Sequence, residues 1–153
     1  MDSILLFIIV AVTLIVCATT VSFCIAYLHG AVVVSSRHDI IRRALTLASV
    51  TRNDRLIDLG SGWGNVLRMA RTEFGATAIG YEIAFIPYLY STFRGDRVLL
   101  RSFKNSTIEN ASIIYLYLSP KMIRSLIPQI ISYLDNGMRI VSVSFHIPGL
   151  VPK

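Results

Sequence analysis

The chain has 153 residues, room for one globular domain of ordinary size. With 54% hydrophobic and only 16% charged residues, it is too apolar for a disordered chain or an average soluble domain, so a membrane segment is expected. A net charge of +6 favours anionic surfaces, and two cysteines are too few for a disulfide framework or a structural zinc site.

The surplus of apolar residues lies at the N-terminus. From Ile4 to Leu28 no residue is charged, and as a helix this run spans roughly 37 Å, enough to cross a ~30 Å hydrocarbon core. A cleaved signal peptide would start basic and carry a shorter apolar run, whereas this chain starts Met1-Asp2-Ser3. The expectation is an uncleaved anchor over residues 1–30 and one further domain over 31–153. All 15 Lys/Arg follow the anchor, beginning with Arg37, Arg42 and Arg43, and the part after Gly30 carries a balance of +7. By the positive-inside bias that part faces the cytoplasm and the N-terminus faces out. Its charge suits a domain held against anionic headgroups. The basic residues are scattered rather than clustered, so no nucleic-acid partner is expected. Cys17 and Cys24 share one face of the anchor, against lipid or another helix, as inert thiols. No His/Cys pair has ligand spacing, and no metal is expected.

After the anchor, Ser36 reads as the N-cap of a helix with Asp39 three residues on, and Ile41, Leu45 and Ala48 fall on one face of it. Arg55 to Leu59 is a short strand closed by Gly60. Val66 to Phe74 is helical and stops at Gly75. Thr77 to Tyr81 is a second strand ending at Glu82, followed by a short helix from Pro87 to Phe93 and a third strand from Val98 to Leu100. Ser112 to Leu118 is nearly all apolar, hence a fourth strand buried on both faces. Ser119-Pro120 opens a helix to Leu134 that Pro128 should kink, with Asn136-Gly137 closing it. Arg139 to Phe145 is a fifth strand. Alternating strands and helices define an α/β domain, Rossmann-like, with a mainly parallel sheet of about five strands.

The most informative stretch is Asp58-Leu59-Gly60-Ser61-Gly62-Trp63-Gly64, a glycine loop between a strand and a helix. Glycines permit the tight turn and let a ligand approach bare backbone N–H groups. Glu82, at the end of the next strand, can accept both hydroxyl protons of a ribose. A dinucleotide loop runs G-x-G-x-x-G; here the spacing is G-x-G-x-G, with Asn65 at the third fingerprint position. Asp58, two residues before the first glycine, would welcome a cationic or amino-bearing ligand. Both features favour S-adenosylmethionine over NAD.

DLGSGWG with the downstream GYE resembles the first two motifs of class I S-adenosylmethionine-dependent methyltransferases. The order LIDLGSGWGNVLRMA, AIGYEIA, IIYLYLSP and VSFHIP further resembles the small membrane-anchored lysine methyltransferases related to those of the ATP synthase c-subunit and the adenine nucleotide translocase. The resemblance implies that Asp58, Gly60, Ser61, Gly62 and Gly64 wrap the methionine part of the cofactor and that Glu82 holds its ribose. The family's Asp-Leu-Trp string, near the adenine, is matched by Ser102-Phe103-Lys104, which has no acid. The segment from Tyr88 to Val98 is shortened, and the last two strands of the usual seven are absent.

Methyl transfer to lysine needs the neutral amine, yet at a pKa of ~10.4 only about 0.1% is neutral near pH 7.4, a cost of about 4 kcal/mol that desolvation or a base must offset. No residue stands out as that base. Tyr117, Ser119 and His146 are the candidates at the carboxyl ends of the fourth and fifth strands, where open α/β sheets bind ligands. His29 and His38 lie near the membrane exit, and Tyr115 and Tyr117 read either as core packing or as an aromatic wall that desolvates a lysine. The short tether from Leu28 to Ser36 keeps the site within about 30 Å of the bilayer, so the expected substrate is a lysine of a membrane protein near the cytoplasmic interface. A small-molecule or lipid amine, or a membrane-bound scaffold without turnover, remains the alternative.

Overall fold

The apolar run forms one continuous helix. In this computed structural model, which describes residues 3–28, 36–104, 106, 108 and 110–152, α1 spans Ser3–Leu28. Its stretch Ser3–Cys24 is long and apolar enough to cross a membrane, and its most apolar window is not buried within the protein. Thr13, Thr19 and Thr20 turn their hydroxyls back onto the carbonyls of Ile9, Ile15 and Val16, which satisfies them inside the helix as an apolar surrounding requires. The tether and His29 lie outside the described residues.

α2 (His38–Leu47) starts one residue later than a Ser36 cap would place it. Arg37 holds the cap position in extended backbone, with no side-chain cap. Asp39 is instead forked onto the Arg37 guanidinium, both contacts at 3.1 Å. The apolar face is as expected: Ile41 and Leu45 are fully buried.

Five strands, β1 (Arg55–Leu59), β2 (Thr77–Glu82), β3 (Val98–Leu100), β4 (Ile113–Leu116) and β5 (Arg139–Ser142), form one sheet in the order β3-β2-β1-β4-β5. Every neighbouring pair is parallel. The expected α/β class and strand count hold among the described residues. The order reverses between β1 and β4, which opens a crevice at their carboxyl ends. β4 is buried at every position, and its side chains alternate between two cores. Ile113 and Tyr115 join Ile41, Leu45, Val66 and Met69 under α2 and α3 (Asn65–Phe74). Ile114 and Leu116 join Met122, Ile123 and Ile130 under α5 (Pro120–Ser125) and α6 (Ile127–Asp135).

Besides the start of α2, β4 is shorter than expected, Ile113–Leu116 rather than Ser112–Leu118, and three further boundaries differ from the sequence reading, each for a local reason. The expected kinked helix is two helices, because a proline inside one continuous helix would strike the carbonyl four residues earlier; Pro128 sits instead in the first turn of α6. The helix expected from Pro87 begins earlier, as α4 (Phe85–Phe93), since proline is tolerated in a first turn. β5 stops at Ser142 rather than Phe145: the Ser142 hydroxyl donates to the Phe145 carbonyl at 2.6 Å, and Ser144 turns at φ +67°.

The amino ends of the strands are clasped far from the crevice. Asp54 accepts from the Ser112 hydroxyl at 2.7 Å and from the Thr51 amide at 2.8 Å, and it pairs with Arg139. Burial opposes its charge, but these hydrogen bonds from Ser112, Thr51 and Arg139 hold the carboxyl at about 2.

Candidate cofactor site

The turn from β1 into α3 depends on its glycines. Gly60, Gly62 and Gly64 have φ of +91°, +50° and +75°, a region that residues with a Cβ rarely enter. Their amides are engaged within the protein. Gly60 and Ser61 both donate to the Tyr81 carbonyl at 2.9 Å, and Gly64 donates to Ser61 at 2.9 Å. Gly62 donates to Glu82 Oε2 at 2.7 Å. The expectation of bare N–H groups facing a ligand is therefore corrected: the glycines supply backbone shape. A pyrophosphate would need those donors; a ligand bearing ammonium and sulfonium charges does not.

Glu82 ends β2 and is buried. Besides Gly62, it accepts from the Ile83 and Ala84 amides at 2.8 and 2.7 Å through Oε1. A carboxylate has about four lone-pair sites, so three are filled by backbone and one remains: the expected acceptance of both ribose hydroxyls is reduced to one. Asp58 lies one residue before the end of β1, beside Gly80 and Tyr115 in the neighbouring strands. It is only 3% exposed, and burial, then the nearby Glu82 charge, push its pKa up to about 8. A cation beside it would restore its charge.

Ser61 is buried, and its hydroxyl has no hydrogen-bond partner among the described residues. It packs over Gly80: a Cβ there would lie 2.5 Å from Ser61 Cβ and 2.8 Å from Leu67 Cδ1. Gly80 is thus a site residue not singled out from the sequence, although a glycine inside a buried strand signals close approach. Asp96 was also missed. It is buried beneath Gly64, where a Cβ would strike its carboxylate. Arg68 pairs with it and donates to the Trp63 carbonyl at 2.8 Å, while Arg71 approaches it at 3.5 Å. Within Arg94-Gly95-Asp96-Arg97 nothing in the sequence separates this acid from an ordinary surface turn.

The end of β4 meets the loop, since a Cβ at Gly60 would lie 3.3 Å from Leu118 Cδ2. Tyr117 there is half-buried. Ser119 caps α5, accepting from the Met122 amide at 3.4 Å. Tyr115 is entirely buried, and burial followed by the Asp58 charge raises its pKa. Ser102, half-buried just past β3, accepts from the Lys104 amide at 3.3 Å. His146 is exposed beyond β5. The structure thus gathers Asp58, Gly60, Ser61, Gly62, Gly64 and Glu82 at the carboxyl ends of β1 and β2, while Tyr117 packs against the core under α2 and α3. Ser102 and His146 follow the outer strands β3 and β5.

These residues fit S-adenosylmethionine. Among the described residues, Ser61 offers a hydroxyl with no hydrogen-bond partner, Asp58 has no counter-charge, and a Cβ at Gly62 would meet nothing within 4 Å. The parallel sheet, glycine turn and acid after β2 define a class I S-adenosylmethionine-dependent methyltransferase. Residues 58–153 match the ANTKMT methyltransferase domain, and the chain belongs to that family. A protein of Saccharolobus islandicus (strain REY15A) named protein-lysine N-methyltransferase is 30% identical over 124 residues, covering 74% of this chain and 76% of that protein. An RNA methyltransferase from Salinibacter ruber, solved in complex with S-adenosyl-L-homocysteine, is 25% identical and superposes with a TM-score of 0.71 over 78% of this chain and 84% of its own. DesVI of Streptomyces venezuelae, 18% identical with a TM-score of 0.55 over 76% of this chain and 55% of its own, shares the fold.

Proposed function

We propose that the protein transfers a methyl group from S-adenosylmethionine to a lysine of a membrane protein near the cytoplasmic interface. Residues 1–30 serve as anchor and 31–153 as catalytic domain. The observation that carries this reading is the acid pair across the glycine turn: Glu82 bonded to the Gly62 amide at 2.7 Å, and Asp58 buried beside it without a cation. Asp58 and the glycine turn would hold the methionine part, Glu82 the ribose, and Ser61 a further polar atom of the cofactor. Ser102 would border the adenine. The lysine assignment is supported by the archaeal relative's name, and the membrane assignment by α1.

When bound, the cofactor supplies an electrophilic methyl group on a sulfonium. What the chain must supply is a dry, aligned position for a neutral amine. Tyr117, half-buried just past β4, would shield that amine from water, which lowers its pKa. Ser119 acts through the fold, by capping α5, rather than as a base.

Incubating radiolabelled S-adenosylmethionine and the full-length protein with membranes and cytosol from cells lacking it tests this reading. Methyl-lysine in a membrane protein is the expected product. Label only in lipid or in cytosolic protein overturns the substrate class, and cofactor binding without any transfer overturns the activity.

A further inference from the structure

α4 presents the wrong face to water for a soluble protein. Its inward side is Pro87 and Ser91, the latter fully buried with its hydroxyl donating to the Pro87 and Tyr88 carbonyls at 2.9 and 3.0 Å. Its outward side is Phe85, Leu89 and Phe93, spaced four apart and so stacked along one stripe; they are 51%, 51% and 89% exposed. Half-exposed Tyr90 lies beside them. A contiguous stripe of this kind marks a binding surface.

Two observations indicate what covers it. The first is continuity with the anchor. Ser22, near the end of the apolar stretch of α1, is buried, and its hydroxyl accepts from the Ile86 amide at 3.2 Å. The start of α4 therefore sits at the depth where the anchor leaves the hydrocarbon. The second is charge. Arg94 and Arg97 follow α4 directly and both are exposed, while the one acid between them, Asp96, is buried and paired with Arg68 and Arg71. An apolar stripe edged by exposed cations matches the boundary between acyl chains and anionic phosphates.

We infer that α4 lies in the bilayer interface beside the anchor, with Phe85, Leu89 and Phe93 immersed in the leaflet and Arg94 and Arg97 at its phosphates. The inference rests on the membrane reading of α1. It gives the site an orientation as well as a tether. Tyr90 packs edge-on against Trp63 of the glycine turn, ring centroids 5.3 Å apart, so an α4 laid on the membrane holds the cofactor turn against the same surface. A lysine projecting just above the headgroups would then need no excursion of the domain.

The test is a depth measurement on the full chain in phosphatidylcholine/phosphatidylserine vesicles. Spin labels are placed singly through Leu89→Cys, Phe93→Cys, Val12→Cys and Asn136→Cys, each in a Cys17→Ser/Cys24→Ser background, and their accessibility to oxygen and to a water-soluble nickel chelate is compared. The labels at 89 and 93 are expected about 5–10 Å below the phosphates, the label at 12 near the bilayer centre and the label at 136 in water. If position 12 reads as membrane while 89 and 93 read as water like 136, the anchor stands and this inference falls. If position 12 also reads as water, the anchor reading falls with it. Spin–spin broadening between copies at 93, without depth, assigns the stripe to a second copy and overturns the lipid assignment.

Discussion

Asp58 carries the sharpest expectation at the scale of single residues. Its folded pKa of about 8 lies above the ordinary 3.8, so between those values the folded ligand-free chain keeps a proton that the unfolded chain has lost. Stability contributed by this group is then full at low pH and falls as pH rises through about 8. Asp58→Asn removes that slope and is expected to stabilise the ligand-free protein by ~1–3 kcal/mol near pH 8, read as a higher melting temperature in detergent. The same change should weaken S-adenosylmethionine binding at least about tenfold, since an ionised partner for the cation is lost. In the unaltered protein, cation binding should recharge Asp58, so calorimetry in buffers of different ionisation enthalpy should find about one proton released at pH 7. No proton release would show that Asp58 does not meet the cation. Glycine is equally constrained at position 80. Gly80→Ala should drive Ser61 out of its seat, cost ~1–3 kcal/mol of stability through overpacking and reduce cofactor affinity, both read by denaturation and calorimetry.

Elements are held in register by groups that the site never touches. The clasp of Asp54 with Ser112, Thr51 and Arg139 ties the amino ends of β1, β4 and β5 together. Because its folded pKa is lowered to about 2, its contribution is present above about pH 4 and is lost as pH falls towards 2. Asp54→Asn is expected to cost ~2–4 kcal/mol at pH 7 by breaking a part-buried charged network, and the gap from the unaltered protein should shrink at pH 3. A gap that stays constant with pH would assign the effect to packing instead. At the other end of the sheet, Glu82 couples binding to the turn itself. Glu82→Ala removes acceptors from three backbone amides, so it should lower both stability and cofactor affinity, where a residue that only touched the ribose would lower affinity alone.

The whole molecule places a methyltransferase domain beside one apolar helix. A tether acts by raising the effective concentration of targets within its reach and does nothing for a soluble ligand. Removing residues 1–30 is therefore expected to leave S-adenosylmethionine affinity within about twofold while methylation of membrane proteins falls roughly 10²-fold, measured with the same radiolabel. Equal loss of both would mean that α1 supports the fold, through the Ser22 to Ile86 contact, more than it delivers the substrate.

Local chemistry was enough to read the N-terminal apolar helix, the α/β class, the glycine turn and the five strands in their succession along the chain. Hydrophobic runs, glycines and prolines act within a few residues of themselves, so Gly75 could end α3 and Ile41 and Leu45 could be assigned to a core from spacing alone. The position of Glu82 at the end of β2 was legible, because the apolar run of that strand stops at it. Relations between distant segments were not legible. That the loop amides are spent on Tyr81 and Glu82, that Gly80 is glycine for the sake of Ser61, and that Asp96 lies under Gly64 all arise only when separate strands meet. The helix start at Ser119-Pro120 was legible, and Ser119 caps α5 there. The outward face of α4 was hidden for the same reason: its pattern of apolar residues is visible in the chain, but which side faces the protein depends on β2, β3 and α1 packing around it. Sequence alone determined which segments are apolar and where the backbone must turn, because those are properties of neighbouring residues. Tertiary structure alone decided which polar groups remain unpaired and which apolar groups remain uncovered, because pairing and burial require partners from elsewhere in the chain.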